Sequence, residues 1–191
     1  MRDFWGKYQD SLADTLRRLE VSSRDGERHD AADALGALCA WAGELGNADG
    51  TMILVGNGGS AGFASHMAVD WTKTAGVRAM ACNDMAFLTA IANDCGYERV
   101  FADPVGWYGR PGDLMVTISS SGNSPNVVGA IERARDRGMR IVTFSGMGPD
   151  NRSRTAGDLN FYVPAATYGI VECSHQILLH AWLDCYLEGR A

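Results

Sequence analysis

Two short apolar runs, each breaking into a turn of glycines or serines and then into a helical pattern, constrain this chain more than anything else in it. Thr51–Val55 (TMILV) ends in Gly56-Asn57-Gly58-Gly59-Ser60, and Asp113–Ser119 (DLMVTIS) ends in Ser120-Ser121-Gly122-Asn123-Ser124-Pro125. A run apolar at nearly every position is the pattern of a strand buried on both faces, which in practice means a parallel sheet under helices. Further runs of this kind are Arg78–Cys82, Met139–Ser145 and Leu159–Val163, with helical stretches over about Asp84–Ala92, Asn126–Arg137 and Tyr168–Glu188. Pro125 suits a first helical position, where its missing N–H costs nothing. Strands alternating with helices predict a three-layer α/β sandwich, a sheet flanked by helices on both sides.

Ahead of this core the texture is helical. Tyr8, Leu12, Leu16 and Leu19 recur every three or four residues, and a second helix is expected from about His29 to Leu45, marked by Leu35, Leu38, Cys39, Ala42 and Leu45 and stopped by Gly46-Asn47. The charged stretch Ser22–Asp33 reads as a solvated turn between those helices. The 191 residues fit one domain, with N-terminal helices over 1–48 and the sheet core with the final helix over 49–191.

Composition removes several functions. The net charge is −6 and the 17 Lys and Arg are scattered, which excludes nucleic acid as a main ligand because backbone phosphates need a basic patch. No apolar run approaches the length of a membrane span, and the charged N-terminus lacks a signal-peptide core, so a cytoplasmic protein is expected. The five cysteines, Cys39, Cys82, Cys95, Cys173 and Cys185, form no CxxC pair, and free thiols packed mostly as small apolar groups are expected.

The loops speak for a phosphate. Glycines let backbone amides approach a ligand, and the helix that follows offers free N–H groups at a positive dipole end. A glycine turn alone is equally at home as plain structure. The second loop is more telling: Ser119, Ser120, Ser121 and Ser124 lie within six residues, whereas a helix cap needs one serine. Neither loop has the Walker A lysine or a GxGxxG with a distal acid, which excludes nucleotide hydrolysis and dinucleotide binding.

Ionisable residues gather on two helices. His66 and Asp70 are four apart, and Glu172, Gln176 and His180 fall at i, i+4 and i+8 of the final helix, with His175 displaced from that face. Meeting at the strand ends, His66, Asp70, Glu172 and His180 would surround one point. Two readings fit: a site for zinc or a similar divalent ion, or an acid–base pair that moves a proton between adjacent carbons of an open-chain sugar. Ordinary surface pairs, such as Asp70 with Lys73, are the bland alternative.

GNGGS with a downstream His, then SxSGNS, then a last helix with an acidic or amide residue eight positions before a His, resembles the SIS proteins, and among them the phosphoheptose isomerases; Leu88–Phe101 and Gly122–Gly146 are similar as well. The resemblance implies a five-stranded parallel sheet, an N-terminal helical arm, a homotetramer with sites between subunits, and aldose–ketose isomerisation of a sugar phosphate through an enediol. It puts the phosphate at Ser60, Ser119, Ser120, Ser121 and Ser124, with Gly58 and Gly59 in the same loops, and the sugar near Asn57, Asp94 and Glu172. It makes Asp70 and His180 the catalytic pair, and His66, Asp70, Glu172 and His180 the ligands of zinc where the family binds it. The chain also departs from the family: Asp70 stands for the usual Glu, Glu172 for Gln, Gly169-Ile170 for an Asp-Arg pair, and Gly62-Phe63 displaces an Asp after the first loop. Two rivals follow, an isomerase of another sugar phosphate and a SIS protein that binds or regulates without catalysis.

Overall fold

The computed structural model describes residues 2–190. In chain order its elements are α1 (Arg2–Arg17), β1 (Glu20–Ser23), β2 (Arg28–His29), α2 (Ala31–Asn47), β3 (Met52–Gly56), α3 (Gly59–Lys73), β4 (Ala79–Ala81), α4 (Met85–Cys95), α5 (Ala102–Tyr108), β5 (Leu114–Ser119), α6 (Pro125–Asp136), β6 (Arg140–Gly146), β7 (Leu159–Val163) and α7 (Tyr168–Glu188), with 3-10 turns at Tyr97–Arg99 and Arg152–Thr155. The strands form one sheet in the order β2-β1-β7-β6-β5-β3-β4. The five from β7 to β4 are parallel, as the apolar runs predict.

Alternation along the strands sorts the core into two layers. Met52 and Leu54 of β3, Val116 and Ile118 of β5, and Val142 and Phe144 of β6 face α2, α3 and α7. Their sequence neighbours Ile53, Val55, Met115 and Ile141 face α4, α5 and α6. On the first face α3 and α7 are locked by aromatics: the Trp71 ring lies 4.9 Å from Trp182 and 5.2 Å from Tyr186. This fixes how far along each other the two helices lie, and so which polar residues beyond the tryptophans meet.

Three expectations are corrected. Ser22–Asp33 is no helix–helix turn: it takes part in a hairpin whose strand β1 runs antiparallel to β7, pairing Val21 with Phe161 and Ser22 with Asn160. The edge is fastened by Arg154, whose guanidinium lies 2.5 Å from Glu20 and stacks 4.0 Å over the Tyr162 ring. The second helix begins later than His29, at Ala31, because the Asp30 carboxylate accepts from the N–H groups of Ala32 and Asp33 and caps it there. All five cysteines are free, but only Cys82 is buried, where desolvation pushes its thiol up to about 12; Cys95 and Cys173 are exposed. Among the described residues no helix is long and apolar enough to cross a membrane.

Candidate functional site

The chain leaves β3 in one direction to β4, through α3, and reaches β5, β6 and β7 on the other side. The strand order therefore reverses between β3 and β5, and in open parallel sheets ligands bind in the crevice at the carboxyl ends of such a pair. Gly56 at the end of β3 is in register with Ile118 near the end of β5, so the glycine loop and the serine loop emerge side by side. Gly56 has no room for a side chain: a Cβ would come within 2.7 Å of Ser60 Cβ and 2.8 Å of the Ile118 carbonyl oxygen.

The serine loop's four hydroxyls are only partly engaged: Ser121 Oγ accepts from the Asn123 N–H at 3.3 Å. Ser119 Oγ accepts from the Gly122 N–H at 3.2 Å, but Ser120 Oγ is buried with no partner, and Ser124 stands at the N-cap of α6 without making a capping bond. An unpartnered buried hydroxyl costs free energy unless a ligand or water meets it. The loop is clamped from behind. Ser153 donates through its N–H and its Oγ to the Gly122 carbonyl at 2.9 and 2.8 Å, and the Arg152 N–H donates to Asn123 Oδ1 at 2.9 Å. Gly122 has φ +63°, and a Cβ there would overlap the Asn151 amide. The sequence carries no signal for these clamping residues, because they come from the separate segment after β6.

Asn57 lies in the first loop, half-buried, and exchanges two hydrogen bonds with Asn126 of α6, at 3.0 and 2.9 Å. Gly58, Gly59 and Ser60 open α3, with Ser60 buried. Asp94 is exposed near the end of α4 and accepts from Asn93 Nδ2 at 2.7 Å.

Beyond the loops, α3 and α7 bring three ionisable groups together. His66 Nε2 lies 3.2 Å from Asp70 Oδ2. The His66 and His180 rings meet edge to face with centroids 5.3 Å apart. One ligand atom from each of His66, Asp70 and His180 lies within 4.8 Å of the others. Two imidazoles and a carboxylate this close are a donor set that fits zinc or a similar divalent ion. Gln176, one turn before His180, bonds its ring Nε2 at 2.6 Å. With the amide nitrogen as donor, His180 Nε2 carries the lone pair and the proton sits on Nδ1.

Glu172 is placed apart from that cluster. Its carboxylate stands against Gly59, where a Cβ would be 3.1 Å from Oε2, at the positive end of α3. α7 thus spans the site, with Glu172 at the loop end and His180 at the cluster, about 12 Å along the helix at 1.5 Å per residue. His175 points the other way, into the core: it is fully buried, its Nε2–H donates to the Ser145 carbonyl at 3.1 Å, and desolvation lowers its pKa from 6.5 to about 4.

The SIS domain family model matches residues 7–146. The chain is 35 % identical over 194 residues to the phosphoheptose isomerase of Aromatoleum aromaticum, covering 96 % of this chain and 93 % of that protein. It is 38 % identical over 147 residues to the phosphoheptose isomerase of Bordetella avium, covering 71 % of this chain and 73 % of that one. Among solved structures, the phosphoheptose isomerase of Neisseria gonorrhoeae is similar over 97 % of this chain and 98 % of its own, with a TM-score of 0.78 and 30 % identity.

Proposed function

The chain belongs to the SIS domain family, and from that premise we propose that it is a phosphoheptose isomerase, interconverting sedoheptulose 7-phosphate and the aldose heptose 7-phosphate. The observation that carries the reading is the meeting of Asp70 and His180 with His66 between α3 and α7, the helix α3 opening directly from the glycine loop that emerges beside the serine loop and its unpartnered Ser120 hydroxyl. The distance along α7 from the loop end to His180 is comparable with an extended seven-carbon chain ending in phosphate.

In this reading Ser60, Ser119, Ser120, Ser121 and Ser124 hold the phosphate, helped by the amides of Gly58 and Gly59, while Asn57, Asp94 and Glu172 face the sugar. Asp70 removes a proton from carbon 1 of the open-chain ketose. The electron pair forms the C1–C2 double bond, the carbonyl bond opens onto O2, and His180 delivers a proton there. Return of a proton to carbon 2, with loss of the O1 proton, gives the aldehyde. The His66 imidazole stands 3.2 Å from the Asp70 carboxylate, and Gln176 holds His180. His66, Asp70 and His180 would hold a divalent ion such as zinc, whose chemistry when bound is to polarise the substrate's oxygens; Glu172, at the loop end of α7, is not among its ligands.

We further read the enzyme as a cytoplasmic homotetramer that completes its sites at subunit contacts. The free thiols and the exposed apolar side chains Phe4, Trp5, Val69, Tyr168 and Ile177 support this. The test is turnover of sedoheptulose 7-phosphate by the purified protein. Asp70→Asn and His180→Ala should each lower kcat by about 10²- to 10⁴-fold, the range of general acid–base catalysis, with a smaller change in KM. Wild-type activity on a different ketose phosphate alone would transfer the reading to that sugar, and activity surviving both substitutions would reject Asp70 and His180 as the base and the acid.

A further inference from the structure

We infer that Tyr97 is a substrate-positioning residue that acts through Asn57; the inference rests on the isomerase reading, in which Asn57 faces the sugar. Asn57 Oδ1 accepts from Asn126 Nδ2 at 2.9 Å and from the Tyr97 hydroxyl at 3.1 Å, and Asn57 Nδ2 donates one hydrogen to Asn126 Oδ1 at 3.0 Å. A reciprocal amide pair is symmetrical by itself, since turning both amides over restores the same two bonds. One outside donor breaks that symmetry. The Val127 N–H donates to Asn126 Oδ1 at 3.0 Å, which fixes Asn126 and through it Asn57. With Asn57 so fixed, the Tyr97 hydroxyl, which can donate or accept, donates to Asn57 Oδ1 and fills its second lone pair.

With its oxygen filled twice and one N–H used, Asn57 has one hydrogen-bonding group left, an N–H donor. A donor at the mouth of the glycine loop recognises an oxygen of the substrate, whether carbonyl, hydroxyl or phosphate. Tyr97 thereby occupies the remaining lone pair of the amide oxygen and holds Asn57 in place, so that Asn57 offers the substrate a donor and no acceptor. The tyrosine is carried on a short turn that is itself anchored: Arg99 donates through Nη2 and Nε to Asp103 Oδ1 at 2.8 and 3.1 Å, and Asp103 is buried. Tyr97 is 56 % exposed, so it contributes little to the core, and loss of its hydroxyl reports on position rather than on folding.

The experiment compares Tyr97→Phe, Asn57→Ala and the double variant with the wild type, in the full chain, by melting temperature, by calorimetric binding of sedoheptulose 7-phosphate and by steady-state turnover. The Tyr97→Phe melting temperature should stay within about 2 °C of wild type, as for surface substitutions. Its kcat/KM should fall about fivefold to tenfold, the worth of one neutral hydrogen bond, with KM and the calorimetric Kd rising together. In the Asn57→Ala background the same change should cost nothing further, a non-additivity that a structural role would not produce. Wild-type turnover with a silent Tyr97→Phe, or a full loss that persists without Asn57, overturns the role of Tyr97 alone. A wild type that neither binds nor converts the sugar phosphate rejects the isomerase reading, and the role of Tyr97 with it.

Discussion

A single side chain in α7 makes the clearest statement about acid. His175 is fully enclosed against Phe144 and β6, and burial holds its pKa at about 4 rather than 6.5. A depressed histidine favours the fold in its neutral form. The contribution is fully present above pH 6.5 and is lost as pH falls from there toward 4, because across that window the unfolded chain binds a proton that the native chain refuses. The difference of the two values corresponds to about 3 kcal/mol at 1.36 kcal/mol per pKa unit. Urea unfolding at pH 7.5 and at pH 4.5 should therefore show a loss of this order, and His175→Leu should flatten the acid-side slope. An unchanged slope would mean that other groups set the acid limit. His66 and His180, in contrast, lie on partly open ground between α3 and α7.

At the level of elements, the serine loop is shaped less by its own residues than by the segment behind it. Gly122 is held at φ +63° with its carbonyl gripped by Ser153, and a methyl group at its Cα would collide with Asn151. Gly122→Ala should cost more than about 1 kcal/mol of stability, since both the backbone conformation and the space are wrong for a side chain. It should raise KM for the sugar phosphate at least tenfold while leaving the Asp70–His180 cluster intact. Titration with inorganic phosphate checks this directly, and unchanged phosphate affinity would detach the loop from phosphate binding. This loop and its partner after β3 were legible in the sequence, because a buried parallel strand writes itself as a local apolar run and its turn as a local cluster of Gly or Ser. The hairpin of β1 and β2 was not legible. Glu20–Ser23 is short and polar except for Val21, and it becomes a strand only by pairing with β7, about 140 residues away. The site divides the same way. The i, i+4 spacing put His66 beside Asp70, but the placement of Glu172 against Gly59 and the Tyr97–Asn57–Asn126 contacts depend on packing between elements that no local pattern records.

The whole molecule carries the His66, Asp70 and His180 cluster on a face that a lone chain leaves open. The His66 side chain is 53 % exposed and that of Asp70 26 %. In the proposed reaction Asp70 is the base, and water reaching it would cost much of the electrostatic advantage of an enclosed site, where low dielectric strengthens each interaction. The side chains next to them in sequence are apolar and exposed: Val69 precedes Asp70 at 58 % exposure, and Ile177 follows Gln176 at 43 %. Apolar groups bordering a polar cluster are the dress of a surface that another chain covers. If association encloses the site, charge placed at that border should separate chains and abolish turnover in one step, although no substrate-contacting residue has changed. Val69→Glu combined with Ile177→Glu should sediment as a smaller species than wild type, keep its circular dichroism spectrum, and lose at least about tenfold in kcat/KM, with part of the activity returning at high protein concentration as mass action drives reassembly. Full activity in a species that sediments as one chain would show that each chain carries a complete site, and would end the proposal that the sites are completed at subunit contacts.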